Sequence, residues 1–554
     1  MRRQLVPALT YSIAAFAVLL SFGTGGELGV PGARGTHVWD SMWALEQWAD
    51  AMFSGRRPWM TEDINYPDGG LVWIGDPLGA TLMAPVVWAF GAAAALSTLI
   101  WLQLLLAGWV THRFAAEFLV WRRGGGAQGW GPYLAGLSMV LAPILVTHIH
   151  NGETSAIWLG WAVLAVWLGW RSAADPTPLR LALASGAFVL AGVADWYGGM
   201  IAGCFLAAIV LVGTHPMDSP WNVGRWAPLL AGALLLSAYG LLVAPIAGAP
   251  DAVDAVQSVD QIRALTRSHG AADPLTYVAV GDYRSPDYRV VSSMTHRVVH
   301  GHYLGWVLIA LAGWAFVRRR RNTAFLWLGS AFCCLLSLGP VLVTAGKPVL
   351  VADTLAIPLP FYLLESLRGL DRLTDPWMLS GGVAIGFSLL AGVAVDQRGS
   401  RVALAALIAV ALDACWVSPT AELRKSIHGA TEPAFQGLAA AAPGAVVNYP
   451  LESGRAYLYE QTLHGKPVAG TMRQAANEHA MQLLRRIRSE SEADPDSFHR
   501  AVSSTAERLG IRYLVIHTDP DAEPDVYSKS IMELERIFDT PDWGEGQVRV
   551  VPLW

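Results

Sequence analysis

Charge is what this chain has least of. Only 15% of its 554 residues are Asp, Glu, Lys or Arg, where a water-soluble chain carries roughly a quarter. With 53% hydrophobic residues and a mean hydropathy of +0.37, that shortage excludes an ordinary soluble enzyme. The formal net charge is small, −5, so the basic surplus that neutralises phosphates is missing and nucleic acid is not an expected partner. Cysteine is nearly absent. Cys204, Cys333, Cys334 and Cys415 all fall inside apolar runs, without Cys-x-x-Cys spacing, which argues against a disulfide framework, a thiolate metal site and cysteine chemistry. There is no internal repeat, no Gly-rich phosphate loop after a strand and no nucleophile elbow.

What the chain does have is long apolar runs, and most are long enough to cross a bilayer as helices. They predict an α-helical polytopic membrane protein of about eleven spans, at 5–22, 96–120, 130–147, 155–170, 181–196, 198–212, 226–247, 303–317, 324–343, 377–395 and 402–417. Basic residues orient them, because Lys and Arg collect in cytoplasmic loops. With the N-terminus inside, Arg2 and Arg3, Arg122 and Arg123, Arg171 and Arg180, Arg225, the arginines at 318–321, and Arg398 and Arg401 all fall on the inner side. Counting 77–95 as a span would invert every later loop and break this pattern, so it reads as an interfacial helix. Arg2-Arg3 followed by an apolar run resembles a signal sequence without a cleavage site, hence an uncleaved first span. The expected organisation is a membrane domain over 1–420, with outer loops 23–95 and 248–302, and an extracytoplasmic domain over 421–554.

After residue 418 the pattern changes. Strands at 444–450, 511–517 and 547–553 alternate with helices at 480–489, 498–509 and 528–538, which predicts a small α/β domain.

Polar residues concentrate in the outer segments. The first outer loop carries Asp40, Glu46, Asp50, Glu62, Asp63, Asp68 and Asp76, with Trp39, Trp43, Trp48, Trp59 and Trp73 between them. A loop so rich in carboxylates and Trp, between the first two spans, is where a membrane enzyme handling a lipid-linked sugar would keep its chemistry. Locally, Asp40 reads as an N-cap before a helix at 41–53, Asp68 as a turn residue in NYPDGG, and Asp76 either as a cap before Pro77 or as a second acid near Asp40. His148, His150 and Glu153 cluster at the outer end of the third span. In an extended segment His-x-His sets both imidazoles on one side, suited to a divalent metal or a phosphate; the plain alternative is that polar residues gather where a span leaves the bilayer. His300 and His302 repeat the pattern in another outer segment, and the two pairs make a site if they meet in one cleft. Asp195 stands near membrane depth at a tight turn, where a carboxylate is costly unless paired or wet. Arg368 and Arg372 lie on the outer side against the charge rule, suited to a phosphate through bidentate contacts or to ion pairs with Glu365, Asp371 or Asp375.

The order WD…W, then NYPDGG and GDPLGATLMAPV, resembles the GT-C superfamily of integral-membrane glycosyltransferases, in particular its YfhO-like bacterial branch. HIHNGETSAIWLGW resembles that branch's outward loop before the fourth span, and ADWYGG its turn between the fifth and sixth. LGPVL…IPLPFYLLESLRGLDRLTDPWML resembles the stretch before its late spans, and GKPVAG…LGIRYLVIH its outer C-terminal domain. Where the family pattern often has a second Arg, this chain has Asp375-Pro376-Trp377.

The resemblance implies transfer of a sugar from a polyprenyl-phosphate donor to an envelope glycan, lipid or protein, at the outer face of a bacterial plasma membrane. It assigns Asp40 as the carboxylate base, with Asp76 as the second acid. Glu153, His148, His150, His302, Arg368 and Arg372 are then the expected donor contacts. Superfamily members differ in metal use; if Mg or Mn serves here, Asp40, Asp76 and His150 are the expected ligands. A different class of function, a non-catalytic translocation or assembly factor for lipid-linked glycans, would need a polar path through spans that are sparse in charge.

Overall fold

The computed structural model describes residues 2–23, 29–33, 36–72, 76–123, 129–213, 223–247, 270–279, 298–319, 323–345, 347–351, 355–364, 373–396, 398–417, 423–424, 426–427, 433–450, 454–470, 476–490, 493–517, 527–538 and 548–554.

Apolar helices make up the first four hundred residues. They are α1 (Arg2–Leu20), α2 (Val38–Ser54), α3 (Pro77–Arg123), α4 (Gly131–Val140), α5 (Pro143–Asn151), α6 (Leu159–Ala174), α7 (Pro178–Ala194), α8 (Trp196–Val212), α9 (Val223–Ala247), α10 (Trp306–Arg319), α11 (Ala324–Ser337), α12 (Ser380–Val395) and α13 (Ser400–Leu412). Among the described residues four segments are long and apolar enough to cross a membrane: Pro77–Arg122, Gly131–Asn151, Thr154–Ala174 and Pro376–Val395. Shorter apolar helices stand beside them at Leu5–Leu20, Pro178–Ala194, Trp196–Val212, Trp306–Arg318 and Ala324–Ser337. Together they build one apolar core that runs from Tyr11 through Phe114 and Phe205 to Leu390.

Several expected boundaries shift for local reasons. The third run breaks into α4 and α5, because Pro143 cannot continue a helix and instead opens the next one. The ninth stops at Ser337 rather than 343: Gly339 takes φ 75° and Pro340 follows, after which Val343–Thr344 pairs with Lys347–Pro348. In α3, Gly91 leaves the helical region at φ 79°, ψ 168°, so the piece before it is a separate helix, with Trp88 and Phe90 exposed.

Charged residues inside the helical body pair with one another. Arg122 meets Asp396 at 3.5 Å, and Arg171 meets Glu117 at 3.1 Å, with Trp167 donating its indole N–H to the same Glu117. Pairing is what makes the buried Arg122 and Asp396 tolerable away from water, while the Arg171 pair is part-exposed.

The last hundred and twenty residues carry α14 (Pro433–Ala440), β1 (Ala445–Tyr449), α15 (Gly454–His464), α16 (Glu478–Glu490), α17 (Pro495–Leu509), β2 (Ile511–His517), α18 (Ser528–Ile537) and β3 (Val548–Pro552). The sheet order is β3-β2-β1, with β2 parallel to β1 and antiparallel to β3. Side chains alternate across it. Ala445, Val447, Leu514 and Ile516 face α16, α17 and α18, while Val446, Tyr513, Val515 and Val550 face α14, α15, α2 and the loop at 61–72. The sheet is thereby seated on α2 and the loop that follows it. Trp43 donates to Gln461 at 2.9 Å, and Trp39 packs on Tyr459. The NYPDGG stretch belongs to the same contact: Asn65 N–H donates to the Gly470 carbonyl, and Asn477 donates to both Asn65 and Tyr66.

Candidate functional site

The N-terminus of α2 is pressed against the C-terminal end of α5. His37 N–H donates to the Asn151 carbonyl at 2.8 Å, and Ser41 Oγ donates to the Gly152 carbonyl at 2.8 Å. Gly152 takes a left-handed φ of 71°, and a Cβ there would meet Val38 N at 2.3 Å, so only glycine permits this approach. Asp40 rides on the contact. It is not the cap expected from the sequence, since α2 begins at Val38, three residues before the expected start, and His37 holds the cap position. Asp40 sits in the first turn instead, where the helix dipole favours a negative charge. Its Oδ2 hydrogen-bonds His37 Nδ1 at 3.1 Å. Its Oδ1 is buried and has no hydrogen-bond partner among the described residues.

His148 and His150 lie on a helix, not on the extended segment assumed for His-x-His. Two residues along a helix point in different directions, and the imidazoles diverge. His148 Nδ1 bonds Glu153 Oε2 at 2.7 Å, and His150 Nδ1 bonds the Leu423 carbonyl at 2.9 Å. Gly152 turns the chain after α5 so that Glu153 can reach back to His148.

The second His-x-His segment is brought here by Asn151. Its side chain takes both backbone groups of Val299, donating to the carbonyl at 2.7 Å and accepting from the N–H at 2.9 Å. His300 then stacks on Trp377 at 4.5 Å and 23°, and His148 stacks on the same indole at 4.8 Å and 26°. One member of each pair therefore meets at a fully buried Trp. His302 turns aside, with Nε2 on the Asp273 carbonyl at 3.0 Å and its ring edge-on to Tyr277.

Asp76 and Asp195 are buried helix caps. Asp76 Oδ1 accepts the Gly79 N–H at 2.6 Å, and its Oδ2 accepts from the Trp158 indole and from Gln103. Burial pushes Asp76 up to about 7, against the lowering effect of those donors, and Asp195 adds to the rise. Asp195 accepts the Gly198 N–H at 2.9 Å at the head of α8 and lies within electrostatic reach of His148 and Glu153. Beside it, the Tyr197 hydroxyl accepts the Asp375 N–H at 2.8 Å, which fixes the backbone entering Trp377.

The remaining candidates are elsewhere. Asp63 takes the Thr61 hydroxyl, and Asp68 closes a turn through Asn65. Arg368 and Arg372 lie outside the described residues. Among the described residues no three His, Cys, Asp or Glu side chains are grouped to hold a metal ion. The donor set Asp40, Asp76 and His150 does not fit one: Asp76 spends both oxygens on N–H donors, and His150 turns to a carbonyl. Trp377, Asn151, Gln103 and Trp158 had no signal in the sequence beyond their residue type. The stacking and bridging that matter join positions far apart in the chain.

No protein-family model and no curated protein matches the chain. Among solved structures it is similar to the oligosaccharyltransferase of Archaeoglobus fulgidus in its apo form, with a TM-score of 0.51, 12% identity, and coverage of 93% of this chain and 69% of that one. The archaeal oligosaccharyltransferase AglB from the same organism, in complex with an inhibitory peptide and a dolichol-phosphate, gives 0.48 at 10% identity, over 92% of this chain and 69% of that one. The form with Zn and sulfate gives 0.48 at 14%, over 91% and 67%. At such identities the likeness is one of fold. Carried by the apo structure, it shows a fold shared with that oligosaccharyltransferase and does not reach to the YfhO-like branch.

Proposed function

We propose that this chain is a membrane glycosyltransferase of the inverting type. It moves a sugar from a polyprenyl-phosphate donor to an envelope glycan, lipid or protein at the outer face of a bacterial plasma membrane. In this reading about eleven spans carry the helical body, the N-terminus is cytoplasmic, and residues 421–554 form an extracytoplasmic domain.

The observation that carries the proposal is Asp40. One carboxylate oxygen is anchored on His37, and the other is buried without a partner, on a helix end fixed against Gly152. A buried acceptor left open costs free energy unless something uses it, and a base needs just such an oxygen. As an acceptor hydroxyl attacks the anomeric carbon, Asp40 takes its proton, and the bond from that carbon to the donor phosphate breaks with the electron pair going to phosphate. Inversion follows from the single displacement. Arg368 and Arg372 are assigned to the departing phosphate through guanidinium hydrogen bonds. Glu153 holds His148 through its Nδ1, and Asp76 holds the head of α3 and the 154–158 turn in place rather than meeting substrate. The donor set Asp40, Asp76 and His150 does not fit a metal.

Mass spectrometry of envelope glycans and glycolipids tests the proposal in cells carrying wild type, a deletion, or Asp40→Asn. A sugar missing from both mutants, with the Asn protein at normal level, supports transfer and names the sugar. A glycan lost in the deletion but kept in Asp40→Asn favours translocation or assembly instead.

A further inference from the structure

The sheet face turned away from α2 carries a feature that the transfer chemistry leaves unused. There α16 and α17 pack together over Leu483, Leu484, Ile487, Val502 and Ala506. An open groove of about 660 Å³ runs along their outer side. One wall is a stripe of α16, Gln482, Arg485, Arg486 and Ser489, at i, i+3, i+4 and i+7. The other is Ser504, Thr505 and Arg508 of α17. The lining holds no carboxylate and no apolar side chain. Glu478 pairs with Arg485 at 3.1 Å and Glu490 with Arg486 at 3.0 Å, but neither acid lines the groove. Arg508 has no ion pair among the described residues.

Arg485 and Arg486 each keep one carboxylate partner outside the hollow and Arg508 has none among the described residues, so the lining presents positive charge and N–H donors, with no carboxylate of its own, to an anion. We infer that this groove binds an anionic glycan, an acceptor chain bearing carboxylate or phosphate groups. The arginines would take its oxyanions by paired N–H donation, and the Ser, Thr and Gln side chains its sugar hydroxyls. A peptide would need apolar pockets for its side chains, and single-stranded nucleic acid would need aromatic platforms; the lining offers neither. A lipid headgroup is disfavoured because the sheet stands between the groove and α2. As the place where the acceptor is gripped, the groove rests on the glycosyltransferase reading, but its binding chemistry can be tested alone.

The experiment titrates the full chain in detergent with an oligogalacturonate and with a phosphomannan, using neutral dextran and poly-glutamate as controls. At least one anionic glycan is expected to bind, to weaken at higher salt, and to lose at least about tenfold in affinity, about 1.4 kcal/mol, in the triple variant Arg485→Gln, Arg486→Gln, Arg508→Gln. Arg485 and Arg486 are well exposed, so the melting temperature of that variant should match wild type. Binding of neither glycan, equal binding by the triple variant, or equally tight binding of poly-glutamate would each overturn the inference. Asp40→Asn should bind as wild type does. Groove binding with no Asp40-dependent transfer would sink only the transferase reading; transfer without groove binding would sink only this one.

Discussion

His300 and Trp377, seventy-seven positions apart in the chain, lie face to face at 4.5 Å, with the indole fully buried and His148 stacked on the same indole at 4.8 Å. This stack joins α5, the 298–302 segment and the head of α12. Trp377→Ala should therefore cost about 3–5 kcal/mol of stability through lost burial and the cavity left behind, while Trp377→Phe keeps part of the stack and costs less. Thermal unfolding in detergent reads both, and an unchanged midpoint for the Ala variant would show that the stack holds nothing.

Asn151 sits one step further out in the same assembly, and its prediction is more local. Removing its side chain strands a buried carbonyl and a buried N–H of Val299. Asn151→Ala should lose on the order of 2–4 kcal/mol, and Asn151→Asp, which keeps the acceptor but not the donor, should lose the larger part of that. Equal stability for Asn and Ala would contradict the bridge.

Gly152 tests whether the α2 and α5 contact sets the chemistry. A methyl group there collides with the backbone of Val38 and His37, so Gly152→Ala must displace the start of α2, and Asp40 with it. A displacement of about 1 Å in a reacting group costs roughly a hundredfold in rate. The expected result is a folded protein with a severely reduced turnover rate; full activity would mean that Asp40 does not need this contact.

Two buried groups tilt stability with pH in opposite directions. Asp76 is raised from 3.8 to about 7 by burial, so between about pH 4 and 7 the native chain holds a proton that the unfolded chain releases. Its contribution to stability falls as pH rises through that window and then levels off. His464 is lowered from 6.5 to about 3 by burial, with Lys466 adding to the effect. The unfolded chain takes up that proton first, so stability falls as pH drops from about 6.5 toward 3. Melting temperatures across pH should lose the first slope in Asp76→Asn and the second in His464→Gln. If either variant keeps its slope, that assignment is wrong.

Much of this was legible in the sequence where one local rule governs. Apolar runs placed the long helices, and the short apolar run at 511–517, entered through Gly510 after a helix, placed β2, because burial in those elements follows from the local run itself. Legibility failed where a residue serves two neighbours at once. Helix α15 lies between α2 and the sheet and shows no single apolar stripe, so no helix was expected there. NYPDGG looked like a free turn because its partners, Gly470 and Asn477, lie four hundred residues away. His148 and His150 were paired by spacing, but the helix that Pro143 opens separates them. Asp40 was found through resemblance. That its Oδ1 is buried without a hydrogen-bond partner among the described residues is a matter of tertiary packing, which composition and periodicity do not record.

The most direct test is the transfer rate of purified protein supplied with the lipid-linked sugar fraction and an envelope acceptor extract, wild type against Asp40→Asn at matched melting temperature. A fall of about 10²–10⁴-fold for Asp40→Asn, with the lipid-linked sugar still binding, is the predicted result. Transfer by the Asn variant at the wild-type rate would contradict the account.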